Sequence, residues 1–187
     1  MLPTETDYVF LLKRRLSPAR LKHSLAVSHM AVALAKHYGA DEKKAKLAGL
    51  LHDYARELST NSLLKKCAAF GIVINTADRK EPVILHAPLG AELVARELAI
   101  NDKEICRAIA LHTTGGANMS VLDKIIYLAD CIEPNRHYRG VDKLREIAEV
   151  DLDVALLSAL DSSLLYLIGK KAWIHPNTIV ARNDLLR

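Results

Sequence analysis

At 187 residues, half of them hydrophobic, the chain suits one globular domain spanning 1–187, with a core large enough to need no disulfide or structural metal. Lys and Arg number 26 against 22 Asp and Glu, and the resulting net charge of +4 is too slight to indicate nucleic acid, supporting only a mild preference for anionic ligands. No run approaches the ~18 apolar residues that span a bilayer, and the N-terminus lacks a basic flank followed by an apolar core, so a soluble, cytoplasmic protein without membrane contacts is expected.

The elements follow in order from Ser17, which caps a helix opened by Pro18, running to Tyr38 and stopped by Gly39. Asp41 caps the next, which is expected to end near Asp53. Thr60 or Asn61 caps a short helix to Phe70, and the polar stretch from Asn75 to Glu81 reads as the longest loop. Further helices are predicted from Pro88 to about Leu98, from Asp102 to about His112, and from Ser120 to just before Pro134. After Gly140 come a short helix, a longer one from about Asp151, and a last one capped by Asn177. No stretch shows sustained period-two alternation, so the fold reads as all-α, a single helical bundle of about eight to ten helices.

Cys67, Cys106 and Cys131 are odd in number, far apart and without CxxC spacing, and read as small apolar side chains in a reducing compartment. The histidines carry more. His23 shares a helical face with Ala26, Val27, Met30 and Leu34. His52 follows Ala45, Ala48 and Gly49, small residues that let another backbone come close, and His112 completes the stripe Ile105, Ala108, Ile109. Three helices thus aim one imidazole each inward. Each alone is an ordinary core histidine, but several buried imidazoles need partners for their ring nitrogens, and a shared metal ion supplies one to all of them. Asp53 and Asp130 are carboxylates within reach by spacing, although a helix-end carboxylate is often merely solvated. His86 reads as a loop residue before a helix, and His29 and His37 as structural or solvated. His137 and His175 lie in loops that could border a pocket.

The set His23, His52-Asp53 and Asp130 resembles the HD superfamily of metal-dependent phosphohydrolases. The longer stretches AGLLHDYARE, LHAPLGAELV, IALHTTG, LADCIEPNRHYRGVD and HPNTIVARN are similar to the YqeK family of symmetrical bis(5'-nucleosyl)-tetraphosphatases, in order from His23 to Asn183. Arg56 stands where lysine is frequent in that family, and Gly116 where a basic residue often follows.

The resemblance implies a binuclear centre with two iron ions, His23, His52, Asp53 and Asp130 on one, His86 and His112 on the other, and Asp53 bridging. Mixed imidazole and carboxylate ligation also suits manganese, cobalt or zinc. Attack by a metal-bridging hydroxide on the central anhydride of diadenosine tetraphosphate would release two ADP. Asp53, Arg56, Asp130 and Arg136 are then expected to act in catalysis. The substrate would lie against His23, His86, His112, Arg136, Arg139, Val141, Trp173, His175, Thr178 and Arg182. A homodimer is an option. Another HD nucleotide phosphohydrolase and a non-catalytic nucleotide-binding regulator are the competing readings, while the dispersed basic residues disfavour a nucleic-acid-binding domain.

Overall fold

The computed structural model describes residues 5–187 as α-helices joined by short turns, with no strand among them. The elements are α1 Glu5–Lys13, α2 Pro18–Tyr38, α3 Glu42–Leu51, α4 Thr60–Ala69, α5 Thr76–Lys80, a 3-10 turn Pro82–Leu85, α6 His86–Leu98, α7 Lys103–Leu111, α8 Val121–Ile132, α9 Val141–Ala148, α10 Leu152–Gly169 and α11 Pro176–Asp184. The all-α expectation holds, with eleven helices among the described residues instead of eight to ten.

The two extra helices are α1 and α5. Asn75 and Asp78 form a reciprocal capping box, each side chain accepting from the other's backbone N–H, and this winds a polar stretch read as loop into a short helix. Boundaries shift where a better cap lay next door. Ser59, not Thr60 or Asn61, caps α4, and His175 caps α11 with Pro176 at its first position. α6, which has no side-chain cap, begins at His86 instead of Pro88 as a direct continuation of the 3-10 turn. The caps expected at Ser17, Asp41, Asp102 and Ser120 all accept backbone N–H groups, each contributing ~1 kcal/mol.

Packing centres on α8, whose Leu122, Ile125, Ile126, Leu128, Ala129 and Ile132 are buried against α2, α3 and α7. α2 and α3 cross closely because Gly49 has no side chain: a Cβ there would stand 2.9 Å from Ser28 Cα. α6 covers α7, while α9 and α10 pack on α8 and α11 packs on α10. α10 corrects the expectation that no segment approaches spanning length, being long and apolar enough by length and composition alone. Its stripe Leu152, Ala155, Leu156, Ala159, Leu160 and Leu164 is buried in the fold.

Candidate metal centre

Five helix segments, α2, the end of α3, the start of α6, the end of α7 and α8, bring His23, His52, Asp53, His86, His112 and Asp130 to one point. Asp53, only 2% exposed, lies between the imidazoles. Its Oδ1 is 3.1 Å from His86 Nε2 and 3.9 Å from His112 Nε2, and its Oδ2 is 3.4 Å from His52 Nε2 and 3.8 Å from His23 Nε2. Asp130 Oδ1 lies 3.0 Å from His23 Nε2 and 4.0 Å from His52 Nε2. The two carboxylate oxygens of Asp53 thus face different histidine pairs.

The opposite ring nitrogens are all tied. His52 Nδ1 donates to Gly49 O and His112 Nδ1 to Ile109 O, each at 2.7 Å, and His86 Nδ1 bonds Val83 O. Since a carbonyl oxygen only accepts, these Nδ1 atoms carry the proton, and in the neutral ring Nε2 presents a lone pair. His23 Nδ1 meets Glu133 Oε1 at 3.1 Å. The consequence is four Nε2 atoms aimed inward. Those of His86 and His112 are 3.1 Å apart, and those of His23 and His52 are buried without a hydrogen-bond partner. Lone pairs converging in a buried site are unfavourable without a cation between them, so this donor set fits a metal. His23, His52 and Asp130 form one group able to hold an ion, and His52, Asp53 and His112 another.

Charge agrees with that at His112 and the two carboxylates, while at His52 burial favours the neutral ring but Asp53 outweighs it and holds the imidazole above its ordinary value. Burial pushes His112 down, and His52 and His86 beside it push further, to about 3, so the ring is neutral. Burial would raise Asp53, but His52 and His86 outweigh it and hold the carboxyl well below the ordinary range. Asp130 is likewise held low, its burial outweighed by His23, His52 and Arg136.

An HD domain model matches residues 20–135. The chain belongs to the HD domain family. It is 41% identical to the symmetrical bis(5'-nucleosyl)-tetraphosphatase of Halalkalibacterium halodurans, over 94% of each chain, and 38% identical to that of Bacillus subtilis, over 93% of each. The crystal structure of an HD superfamily hydrolase described as involved in NAD metabolism, from Clostridium acetobutylicum, superposes with a TM-score of 0.96 at 40% identity, covering 100% of this chain and 98% of that one.

Beside the HD centre opens a cavity of about 870 Å³, with Asp130 in its wall. Arg136, Arg139, Trp173, His175 and Thr178 are among its lining residues. Arg136 leans back over the site, its Nε donating to Asp130 O at 2.8 Å and its Nη2 pairing with Asp130 Oδ1. Arg56, Val141 and Arg182 are not among the lining residues. Val141 is buried where α9 begins, Arg182 turns to Asp161 on α10 at 2.5 Å, and Arg56 sits half-buried in the turn after Asp53.

Four features escaped the sequence reading: Arg20, Glu133, Tyr138 and Tyr166. Arg20 Nη1 lies 2.8 Å from Asp53 Oδ2, and its spacing three residues before His23 on one helical face could have revealed it. Tyr138 and Tyr166 join Trp173 as exposed aromatics on the cavity wall, although nothing in their spacing links them.

Proposed function

We propose that the chain hydrolyses dinucleoside tetraphosphates, diadenosine tetraphosphate foremost, at the central anhydride to give two ADP, with a pair of iron ions held by the six side chains. The observation that carries the metal reading is the convergence of four Nε2 atoms whose Nδ1 partners face outward. Asp53, with one oxygen toward His52 and His23 and the other toward His86 and His112, is the carboxylate that would serve both ions. Ions there would supply polarisation of a phosphoryl oxygen and activation of the attacking water. The dinucleoside tetraphosphate substrate and its symmetrical cleavage are supported by the name of the Halalkalibacterium halodurans and Bacillus subtilis relatives.

The remaining work falls to the surrounding side chains. Arg136 and Arg20 each engage one carboxylate of the centre and keep further N–H donors for phosphate oxygens, whose charge grows during phosphoryl transfer. The adjoining cavity has the volume of a small-molecule site and offers Trp173 to a nucleobase. His175 and Thr178 also line it and offer polar groups to a ribose. The cytoplasm is the proposed location, consistent with three unpaired thiols.

Metal analysis of the purified protein, followed by chromatography of products from dinucleoside polyphosphates, NAD and mononucleotides, tests this. Two ADP from the tetraphosphate is the expected result. ATP plus AMP would overturn symmetrical cleavage. Preference for NAD, prompted by the Clostridium acetobutylicum structure, would replace the substrate while leaving the centre intact.

A further inference from the structure

Three of the four imidazoles are oriented by the same local device. His52, His86 and His112 each send Nδ1 to the carbonyl three residues earlier, those of Gly49, Val83 and Ile109. Each of these histidines directly follows a helical segment, as the cap of α3, of the 3-10 turn and of α7. Carbonyls of a last turn lack their full set of helical partners, so a ring nitrogen can take one. His23 has no such option. It lies inside α2, where the carbonyls of the preceding turn are engaged in the helix ladder.

Its Nδ1 is met instead by Glu133, from a segment 110 residues away and only 2% exposed. Glu133 is itself held. Its Oε2 accepts from Asn135 N at 2.6 Å and from Asn135 Nδ2 at 2.9 Å. Arg145 of α9 donates to the carbonyls of Ile132, Glu133 and Arg136 at 2.9, 2.9 and 3.0 Å, fixing the turn that carries the carboxylate. On the other side of the ring, Asp130 Oδ1 at 3.0 Å and Asp53 Oδ2 at 3.8 Å would draw the imidazole proton to Nε2 and cover its lone pair. A carboxylate at Nδ1 opposes that pull.

We propose that Glu133 is the positioning residue of His23: it keeps the proton on Nδ1, so that Nε2 faces the centre as a metal donor. The role rests on the metal-centre reading and acts through His23 alone, with no contact to substrate. Carboxylate partners of this kind commonly change metal affinity ~10–100-fold when removed.

The test uses the metal-free full chain, with Mn2+ as probe in calorimetric titrations and long-range proton–nitrogen NMR to report the His23 tautomer. Wild-type protein should show Nδ1–H at His23. Glu133→Ala should shift it to Nε2–H and weaken Mn2+ binding by ~10–100-fold with the helical circular dichroism unchanged. Glu133→Gln keeps an accepting oxygen but no charge, and should retain the tautomer with a smaller, several-fold loss of affinity. Glu133→Ala with wild-type affinity and tautomer overturns the proposal and leaves the centre standing. Should Glu133→Ala lose its helical signal, Glu133→Gln decides: weakened Mn2+ binding supports the role, and unchanged binding overturns it. Wild-type protein that takes up no Mn2+ overturns the centre, and the proposal with it.

Discussion

Gly49→Ala tests whether the crossing of α2 and α3 sets the metal centre. The added Cβ would stand 2.9 Å from Ser28 Cα and 3.2 Å from both Ser28 N and Ala31 Cβ. Two of those atoms are backbone, so relief requires the helices to separate, a displacement costing ~1–3 kcal/mol. Alanine also favours helix over glycine by up to ~1 kcal/mol, which blurs the measured value. Gly90→Ala removes that ambiguity. Gly90 lies inside α6, and its added Cβ would meet nothing closer than 3.7 Å, ordinary contact, so only the propensity gain should remain. The difference between the two variants isolates the crowding, and urea denaturation of the metal-free proteins should give ~1–3 kcal/mol, Gly49→Ala the weaker. The centre should suffer too, because α2 carries His23 and the Gly49 carbonyl holds His52. Mn2+ affinity should therefore fall in Gly49→Ala and hold in Gly90→Ala. A Gly49→Ala protein as stable as Gly90→Ala would refute the reasoning.

Three further outcomes are expected. Burial, with Asp78 adding to it, pushes the Cys67 thiol up to about 11, so its contribution to stability is complete below pH 9 and is lost as pH rises toward 11. Urea midpoints between pH 8 and 10.5 should show that decline, and Cys67→Ala should flatten it by up to ~1.4 kcal/mol per pH unit. Arg136→Ala and Arg20→Ala should each lower kcat/KM for the tetraphosphate by ~10²–10³ without metal loss, measured by steady-state kinetics alongside metal analysis. Trp173, the sole tryptophan and 48% exposed, should lose emission on titration with ADP, and Trp173→Ala should weaken ADP binding by ~1–3 kcal/mol.

What the sequence made legible is what helical spacing encodes. The faces of His23, His52 and His112 follow from 3.6-residue periodicity, and Ala45, Ala48 and Gly49 announced the close crossing that Ser28 completes. Asp130 and His86 offered weaker signals, since a carboxylate at a helix edge and a histidine between Leu85 and Ala87 have commonplace alternatives. The family resemblance, not spacing, raised them. It also overreached at the pocket: Val141 belongs to the buried start of α9, and Arg182 is occupied by Asp161. Motif text records which residues occur together, whereas lining a cavity depends on how α10 and α11 pack, a long-range outcome.

The division between legible and hidden follows the range of the hydrogen bond that fixes each ligand. His52, His86 and His112 take carbonyls three residues away, so the ligand and its support are written in one short segment. Position alone is not enough, as His37 shows: it lies one residue before the end of α2 yet is exposed. A helix end and an inward face are both needed, and both can be read from sequence. His23 lacks the first, so its support must come from elsewhere in the fold. Glu133 follows three residues after Asp130 at the end of α8, where one turn can supply both a ligand carboxylate and a partner for the opposing helix. A buried imidazole in mid-helix therefore calls for a distant acceptor, and a carboxylate just beyond another ligand's helix is a place to look for it.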